Sequence, residues 1–152
     1  MRSPRVWLYW LAVSALAGQA LTGGVSLHLS LDEVLPRDGP ALVVFFSTTC
    51  GSCYEELFEM RYFIEAHGLP VEVIGVSGGP REDVAAFLAK FDYHRPVVLD
   101  AKGRLRRAFH VDSVPLSLVI RGGRVVCRPD VYQEPHRRRE EMKRCLLEIG
   151  SR

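Results

Sequence analysis

The chain has 152 residues, a length that fits one domain able to bury an ordinary hydrophobic core. Its composition, 47% hydrophobic and 25% charged, is that of a globular protein. The formal net charge is only +2, from 20 basic and 18 acidic residues, so overall charge gives no support to nucleic-acid binding. The one basic cluster, Arg137–Arg139, is followed directly by Glu140 and Glu141, a pattern that predicts a solvated helix face.

The N-terminus has the pattern of a secretory signal. Arg2 and Arg5 precede an apolar run over residues 6–17, and small residues follow this run. The pattern predicts a signal peptide over residues 1–20, with an uncleaved N-terminal anchor as the alternative. The run is shorter than the roughly 20 apolar residues that a membrane span needs. We therefore expect one exported domain over residues 26–150, periplasmic or secreted, that is attached to a membrane only if the signal is not cleaved.

After a turn-rich lead over residues 26–40, buried-strand runs and helical apolar spacing alternate along the chain. Gly122 and Gly123 separate the last two predicted strands as a hairpin turn. Alternating strands and helices predict an α/β fold, with a central mixed β-sheet, helices on both faces and a C-terminal β-hairpin plus helix. The predicted strands are 41–46, 71–76, 96–99, 116–120 and 124–127, and the predicted helices are 52–66, 80–91, 104–109 and 134–149.

Four cysteines in an exported chain lie where disulfides can form and persist. Cys50 and Cys53 are separated by two small residues, whereas Cys127 and Cys145 stand alone, which is not the paired spacing of a zinc ribbon. We therefore expect redox chemistry with no metal and no cofactor. For Cys127 and Cys145, a structural disulfide between them, two buried free thiols and a second redox pair all stay open.

Cys50 follows a predicted buried strand and opens a predicted helix. A helix N-terminus stabilises negative charge through its unpaired N–H groups, and this favours the reactive thiolate. Cys53, three residues on, can turn back to attack a mixed disulfide on Cys50. The motif Cys50-Gly51-Ser52-Cys53 thus predicts a redox-active disulfide between Cys50 and Cys53 in an enzyme.

Val114-Pro115 stands directly before the predicted strand that begins at Leu116. Without further context an X-Pro bond is expected to be trans, and Pro115 would be an ordinary proline at the start of a strand. Beside a CxxC motif of this kind, a cis bond would present the Val114 backbone to a peptide partner near the sulfurs.

Taken together, these residues resemble the thioredoxin-like family, and most closely its exported TlpA/ResA-like branch. The resemblance implies a thioredoxin fold, with Pro115 as the cis-proline and Glu56 as an acidic residue that tunes the cysteines. For Glu56 the alternative is a solvated carboxylate in the first turns of the helix. The resemblance covers residues 27–149 and is carried by the segments 42–53, 73–77, 96–100, 109–115 and 123–126.

The chain departs from the family pattern at three positions around the motif. Thr49 stands where the family usually has Trp just before the first cysteine. Val44 stands where thioredoxin has a buried Asp that transfers protons, and Leu116 replaces the usual Thr after the cis-proline. These departures leave the expected fold unchanged and bear on redox potential, rate and partner.

The function that these features predict is that of an extracytoplasmic protein thiol–disulfide oxidoreductase. Its expected partners are disulfide-containing exported proteins, with cytochrome c maturation as one setting by family analogy, and a membrane thiol donor. One alternative is a peroxiredoxin-like thiol peroxidase, which favours Pro and Thr at positions that hold Val43 and Ser47 here. The other is a non-catalytic redoxin-like module that binds thiols or holds copper through its thiolates.

Overall fold

The structure, a computed structural model, describes residues 24–151, and the predicted signal peptide over residues 1–20 lies outside the described residues. Within residues 24–151, none of the helices has the length and apolar character that crossing a membrane requires. The strands are β1 (Leu27–His28), β2 (Pro40–Phe46), β3 (Glu72–Ser77), β4 (Val97–Leu99), β5 (Leu116–Arg121) and β6 (Arg124–Cys127). The helices are α1 (Gly51–Ala66), α2 (Arg81–Lys90), α3 (Arg104–Ala108) and α4 (Pro135–Gly150), with a short 3-10 helix at Leu31–Glu33.

The strands form one mixed sheet in the order β1-β4-β3-β2-β5-β6. Strand β2 pairs in parallel with β3 and antiparallel with β5, and β6 is added to β5 as the second strand of a hairpin. Gly122 and Gly123 turn this hairpin with φ angles of 57° and 73°, left-handed values that glycine adopts without steric cost. The predicted α/β fold with a mixed central sheet and a C-terminal hairpin plus helix is confirmed.

The lead over residues 26–40 contains two elements that the sequence does not predict. These are β1, which pairs in parallel with β4 through Leu27 opposite Val97, and the 3-10 helix. A strand of two residues shows no alternation of its own, and it exists because the edge of β4 supplies its hydrogen-bonding partner.

Strand β2 is buried along all seven of its residues. Because side chains alternate along a strand, this one strand contributes to two cores. Leu42 and Val44 belong to the cluster that includes buried residues of α1, α2 and α4. Val43 and Phe45 belong to the opposite cluster, which includes the 3-10 helix residue Leu31.

Helix α4 packs on α1 and is joined to the hairpin. Its Met142 and Leu146 are buried in the same cluster as the apolar residues of α1. Cys145 of α4 is bonded to Cys127 at the end of β6. The bond ties the last helix to the edge of the sheet, a pairing that fits both a structural disulfide and a second redox pair, two of the three arrangements that the sequence left open.

The predicted solvated face over Arg137–Arg139 is wrong for Arg139. Its side chain is only 14% exposed, and its Nε lies 3.0 Å from Oε2 of Glu59 on α1. Lys143, one turn further along α4, places its Nζ 2.6 Å from Oε1 of the same Glu59. Packing of α4 against α1 partly buries these two cations, so they face the neighbouring helix and not the solvent.

We expect the bond between Cys127 and Cys145 to stabilise the fold by restricting the unfolded chain. The two residues are 18 positions apart. Closing a loop of this size is worth about 3 kcal/mol. The double substitution Cys127→Ser/Cys145→Ser should therefore lower the free energy of unfolding by about 3 kcal/mol in urea denaturation, with the other disulfide kept oxidised. Equal urea midpoints for the two proteins would contradict this expectation.

Candidate active site

Cys50 lies where the central strand passes into the first helix. The chain leaves the sheet at Phe46, and the Cys50 N–H donates to the carbonyl of Ser47 at 3.3 Å. Cys50 then occupies the N-cap position of α1. Its sulfur is bonded to that of Cys53 in the first turn of the same helix. The strand-to-helix junction therefore brings together the two cysteines that the motif predicts.

The two sulfurs differ in their access to solvent. Cys53 is fully buried in the core cluster of α1, whereas Cys50 is only partly buried at its edge. Gly51 leaves the approach to Cys50 open, since a Cβ at this position would meet no atom within 4 Å. A partner disulfide can therefore reach Cys50 directly, and it can react with Cys53 only after Cys50.

The start of α1 favours negative charge on Cys50. Helix α1 is 16 residues long, and no side chain caps its first N–H groups. These groups remain available to a thiolate at the N-cap. Ser52 Oγ lies 3.5 Å from Cys50 Sγ and can also donate a hydrogen bond to it. The surroundings therefore stabilise the anionic, reactive form of Cys50 once the disulfide is reduced.

The peptide bond between Val114 and Pro115 is cis. Pro115 is buried directly before β5, and the carbonyl oxygen of Val114 lies 3.9 Å from Cys50 Sγ. The Val114 backbone thus lies beside the one sulfur of the pair that a partner can reach.

Two arginines hold the loop that leads to this cis bond. The Arg128 guanidinium donates to the carbonyls of residues 109 and 110, and that of Arg106 donates to those of residues 111 and 112. Neither arginine is predicted as a site residue. A hydrogen bond between residues 18 or 19 positions apart, as for Arg128, leaves no periodic signal in the sequence.

Glu56 lies one helical turn after Cys53, and both side chains are buried. Ser117 of β5 donates its hydroxyl to Glu56 Oε1 at 2.6 Å, and Arg139 Nη1 lies 4.0 Å from Oε2. Burial raises the pKa of Glu56, and the Ser117 hydrogen bond and the Arg139 charge oppose this shift without cancelling it. Glu56 is therefore not the solvated carboxylate of the alternative reading.

Ser117 is a polar residue of β5 that pairs with an apolar residue of the neighbouring strand β2. It lies directly opposite Val44 in the antiparallel pairing of β5 with β2, so the two side chains share one face of the sheet. Val44 is the position at which thioredoxin has its buried acid. In this chain the buried carboxyl of Glu56 comes from α1 and its hydrogen-bond donor, Ser117, from β5, and the sequence contains no pattern that links these residues across 61 positions.

The other two departures from the family pattern have different surroundings. Thr49 is exposed, and its Oγ1 lies 3.0 Å from Ser47 Oγ. Leu116 is 3% exposed and belongs to the core cluster on the far face of the sheet. The residue after Pro115 therefore contributes to packing, and Thr49 leaves the flank of Cys50 uncovered.

A buried central strand that leads into a CxxC motif at a helix N-terminus, in a mixed sheet completed by a C-terminal hairpin and helix, defines a thioredoxin-fold domain. Residues 20–131 match the AhpC/TSA family. The chain belongs to this family.

Two relatives and a solved structure are similar to this chain, and the structure shows the same fold. The chain is 28% identical over 99 residues to a thioredoxin-like protein from Haemophilus influenzae, covering 61% of this chain and 55% of the relative. It is 28% identical over 95 residues to sporulation thiol-disulfide oxidoreductase A from Bacillus subtilis, covering 59% and 58%. A thioredoxin-like protein from Porphyromonas gingivalis superposes with a TM-score of 0.61 at 23% identity, over 74% and 76% of the two chains. The chain thus spans less than two thirds of the length of either of the first two relatives.

The raised pKa of Glu56 predicts how stability changes with pH. The folded protein binds the proton of the Glu56 carboxyl more tightly than the unfolded chain does. The contribution of this group to the free energy of unfolding is therefore fully present at low pH. It is lost as the pH rises through the pKa of Glu56 in the folded protein. Glu56→Gln has no proton to lose. Its unfolding free energy in urea should therefore rise relative to wild type as pH increases from about 4 to about 8.

The matched control for this measurement is Glu55→Gln, because Glu55 is the preceding residue of α1 and is exposed. This variant should follow the wild-type pH profile. A Glu56→Gln profile parallel to that of wild type would show that the carboxyl titrates as it does in the unfolded chain.

Proposed function

We propose that the protein is a thiol–disulfide oxidoreductase that reduces or exchanges disulfides of exported proteins outside the cytoplasm. One observation carries the proposal. The Cys50–Cys53 disulfide has a partly exposed sulfur at a helix N-terminus and a buried sulfur behind it, with the Val114 backbone alongside. Such an arrangement separates an attacking thiol from a resolving thiol.

In the reducing direction the reaction begins with both cysteines as thiols. The Cys50 thiolate attacks one sulfur of the client disulfide, which forms a Cys50–client bond and releases the other client sulfur as a thiolate. Cys53 then loses its proton and attacks Cys50, which forms the Cys50–Cys53 bond and releases the second client thiolate. Two electrons pass from the protein to the client, and the two released thiolates take up the two protons lost from the cysteines.

Glu56 supports the second step by accepting the proton of Cys53. The two residues are neighbours on the buried face of α1, away from bulk water. A carboxylate whose pKa is raised by burial is a stronger base than one in solvent. Ser117 and Arg139 position this carboxylate from β5 and α4.

The return of the protein to its dithiol form requires a donor. For an exported domain the donor is a thiol protein at the membrane, and precursors of c-type cytochromes are one class of client that the TlpA/ResA-like resemblance suggests. Support for the location comes from the signal pattern over residues 1–20. Support for the activity comes from the similarity to the B. subtilis protein, which is named a thiol-disulfide oxidoreductase.

A thiol peroxidase is the second candidate, because two hydroxyl side chains lie on the segment that leads to Cys50. Ser47 Oγ and Thr49 Oγ1 are 3.0 Å apart on the segment that precedes it. Val43, at the position where such peroxidases favour Pro, is fully buried in β2 and adds no polar group. Consumption of a hydroperoxide by the reduced protein, compared with its reduction of a disulfide, separates the two functions.

The two cysteines should respond differently to substitution because only one of them can be reached. Cys53→Ser keeps the attacking thiol and loses the resolving one, so a stable adduct with a client disulfide should accumulate, seen as a mass increase that a reductant reverses. Cys50→Ser should form no adduct and lose disulfide exchange by a factor on the order of 10³. Unchanged exchange by Cys50→Ser would overturn the proposed function.

If Glu56 accepts the Cys53 proton, its substitution should slow only the second step of the reaction. Glu56→Gln should slow release of the client from the mixed disulfide by a factor of about 10², while the first attack by Cys50 keeps its rate. The release rate in wild type should rise with pH as Glu56 ionises, and this rise should be absent in Glu56→Gln. Stopped-flow measurement of the two steps, with Glu55→Gln as control, would refute the role if both steps slowed equally.

A further inference from the structure

Glu59 lies close to the buried carboxyl of Glu56, and the mechanism above makes no use of it. Its two carboxylate oxygens contact two different cations of α4. Oε2 lies 3.0 Å from Nε of Arg139, and Oε1 lies 2.6 Å from Nζ of Lys143. Residues three positions apart on a helix share one face, so Glu56 and Glu59 both face α4. The guanidinium of Arg139 therefore has two carboxyl groups of α1 as neighbours.

Arg139 lies closer to Glu59 than to Glu56. Its Nη1 is 4.0 Å from Glu56 Oε2, whereas its Nε is 3.0 Å from Glu59 Oε2. A hydrogen bond between a guanidinium and a carboxylate has a length of about 2.8 Å. The contact of Arg139 with Glu56 is thus an attraction between charges without a hydrogen bond, and the hydrogen bond to Glu56 comes from Ser117.

The contact of Arg139 with Glu59 is an ion pair without a directed hydrogen bond. The Arg139 side chain is only 14% exposed, and its buried Nε makes no aligned hydrogen bond within residues 24–151. A largely buried cation that loses its partner is left with an uncompensated charge, which is costly. If Glu59 were neutral, Arg139 could recover a full ion pair by moving about 1 Å towards Glu56.

We propose that Glu59 is a positioning residue that holds Arg139 away from Glu56 and thereby preserves Glu56 as the acceptor of the Cys53 proton. The proposal rests on the proposed function, because it concerns the same proton transfer. A guanidinium paired closely with a carboxylate stabilises the charged form of that carboxylate and makes it a weaker base. At 4.0 Å the guanidinium still attracts Glu56 but leaves more of its affinity for a proton.

The other groups around Glu56 agree with this role. The charged and polar groups that face it are Glu59 of α1, Arg138 and Arg139 of α4 and Ser117 of β5. Burial raises the pKa of Glu56, the Ser117 hydrogen bond and the two arginines lower it, and the negative charge of Glu59 raises it. Glu59 thus acts on Glu56 in two ways, through its own charge and through its contact with Arg139.

Lys143 offers a matched control for the charge of Glu59. Its Nζ lies between two carboxylates, 2.6 Å from Glu59 and 2.9 Å from Glu140. The Glu140 side chain is 50% exposed. Glu140→Gln therefore removes a negative charge from the same lysine while the contact between Glu59 and Arg139 stays in place.

The first test is a titration of the Glu56 carboxyl by nuclear magnetic resonance in the oxidised protein. Glu59→Gln should lower the titration midpoint of Glu56 by about one pH unit, because Arg139 moves closer. Arg139→Met should raise this midpoint, and Glu140→Gln should leave it unchanged. An unchanged midpoint in Glu59→Gln would overturn the proposal.

A double-mutant cycle separates the two ways in which Glu59 acts. Glu59→Gln is repeated in the Arg139→Met background, where Glu59 has only its own charge to contribute. The shift of the Glu56 midpoint should there fall to less than about half of its size in wild type. Equal shifts in the two backgrounds would show that the charge of Glu59 acts directly, and the positioning role would be wrong.

The second test is release of the client from the mixed disulfide, followed by stopped flow. In Glu59→Gln the rise of the release rate with pH should move to lower pH by the same amount as the titration midpoint, while the first attack by Cys50 keeps its rate. A release profile that stays at the wild-type pH while the Glu56 midpoint moves would overturn the role of Glu59 alone. Absence of disulfide exchange by wild type would overturn the proposed function itself.

Discussion

The burial of β2 on both faces is the constraint on which the site depends. A strand whose seven residues are all inside the protein can expose reactive atoms only where it ends. The chain emerges at residues 47–49 and begins α1 at once, so Cys50 receives the free N–H groups of the helix while Cys53 turns back into the core. The difference in access between the two sulfurs is thus a consequence of how the central strand is packed.

The second constraint is a carboxyl placed inside an apolar cluster. Glu56 is surrounded by the core that α1 shares with α4, and burial disfavours its charged form. The fold compensates with one hydroxyl from β5, Ser117, and one guanidinium from α4, Arg139. Three elements that are far apart in sequence therefore meet at this group. The position of α4, which the bond at Cys145 and the contacts of Arg139 maintain, is part of the active-site environment.

Sequence patterns predict those features whose cause is local. The buried run of β2, the apolar stripes of the helices and the Gly122-Gly123 turn have signals within a few residues, and so does the pairing of Cys50 with Cys53. The cis form of the Val114-Pro115 bond is expected only from the resemblance to a family. Contacts across long separations were not predictable, because no period links Ser117 to Glu56 or Arg139 to Glu59. Strand β1 was not predictable either, because it forms only by pairing with β4, which is distant in sequence.

The burial of Cys53 also determines the order in which the two sulfurs can react with a partner. In the proposed function, every client, whether it gives or takes electrons, passes through the same intermediate, the mixed disulfide on Cys50, because Cys53 is buried. By microscopic reversibility, oxidation and reduction then share a single path with a single transition state for each sulfur transfer. The relative reduction potentials of donor and client then set the net direction of electron flow. One such fold can serve opposite physiological directions without any change in the arrangement of its two sulfurs.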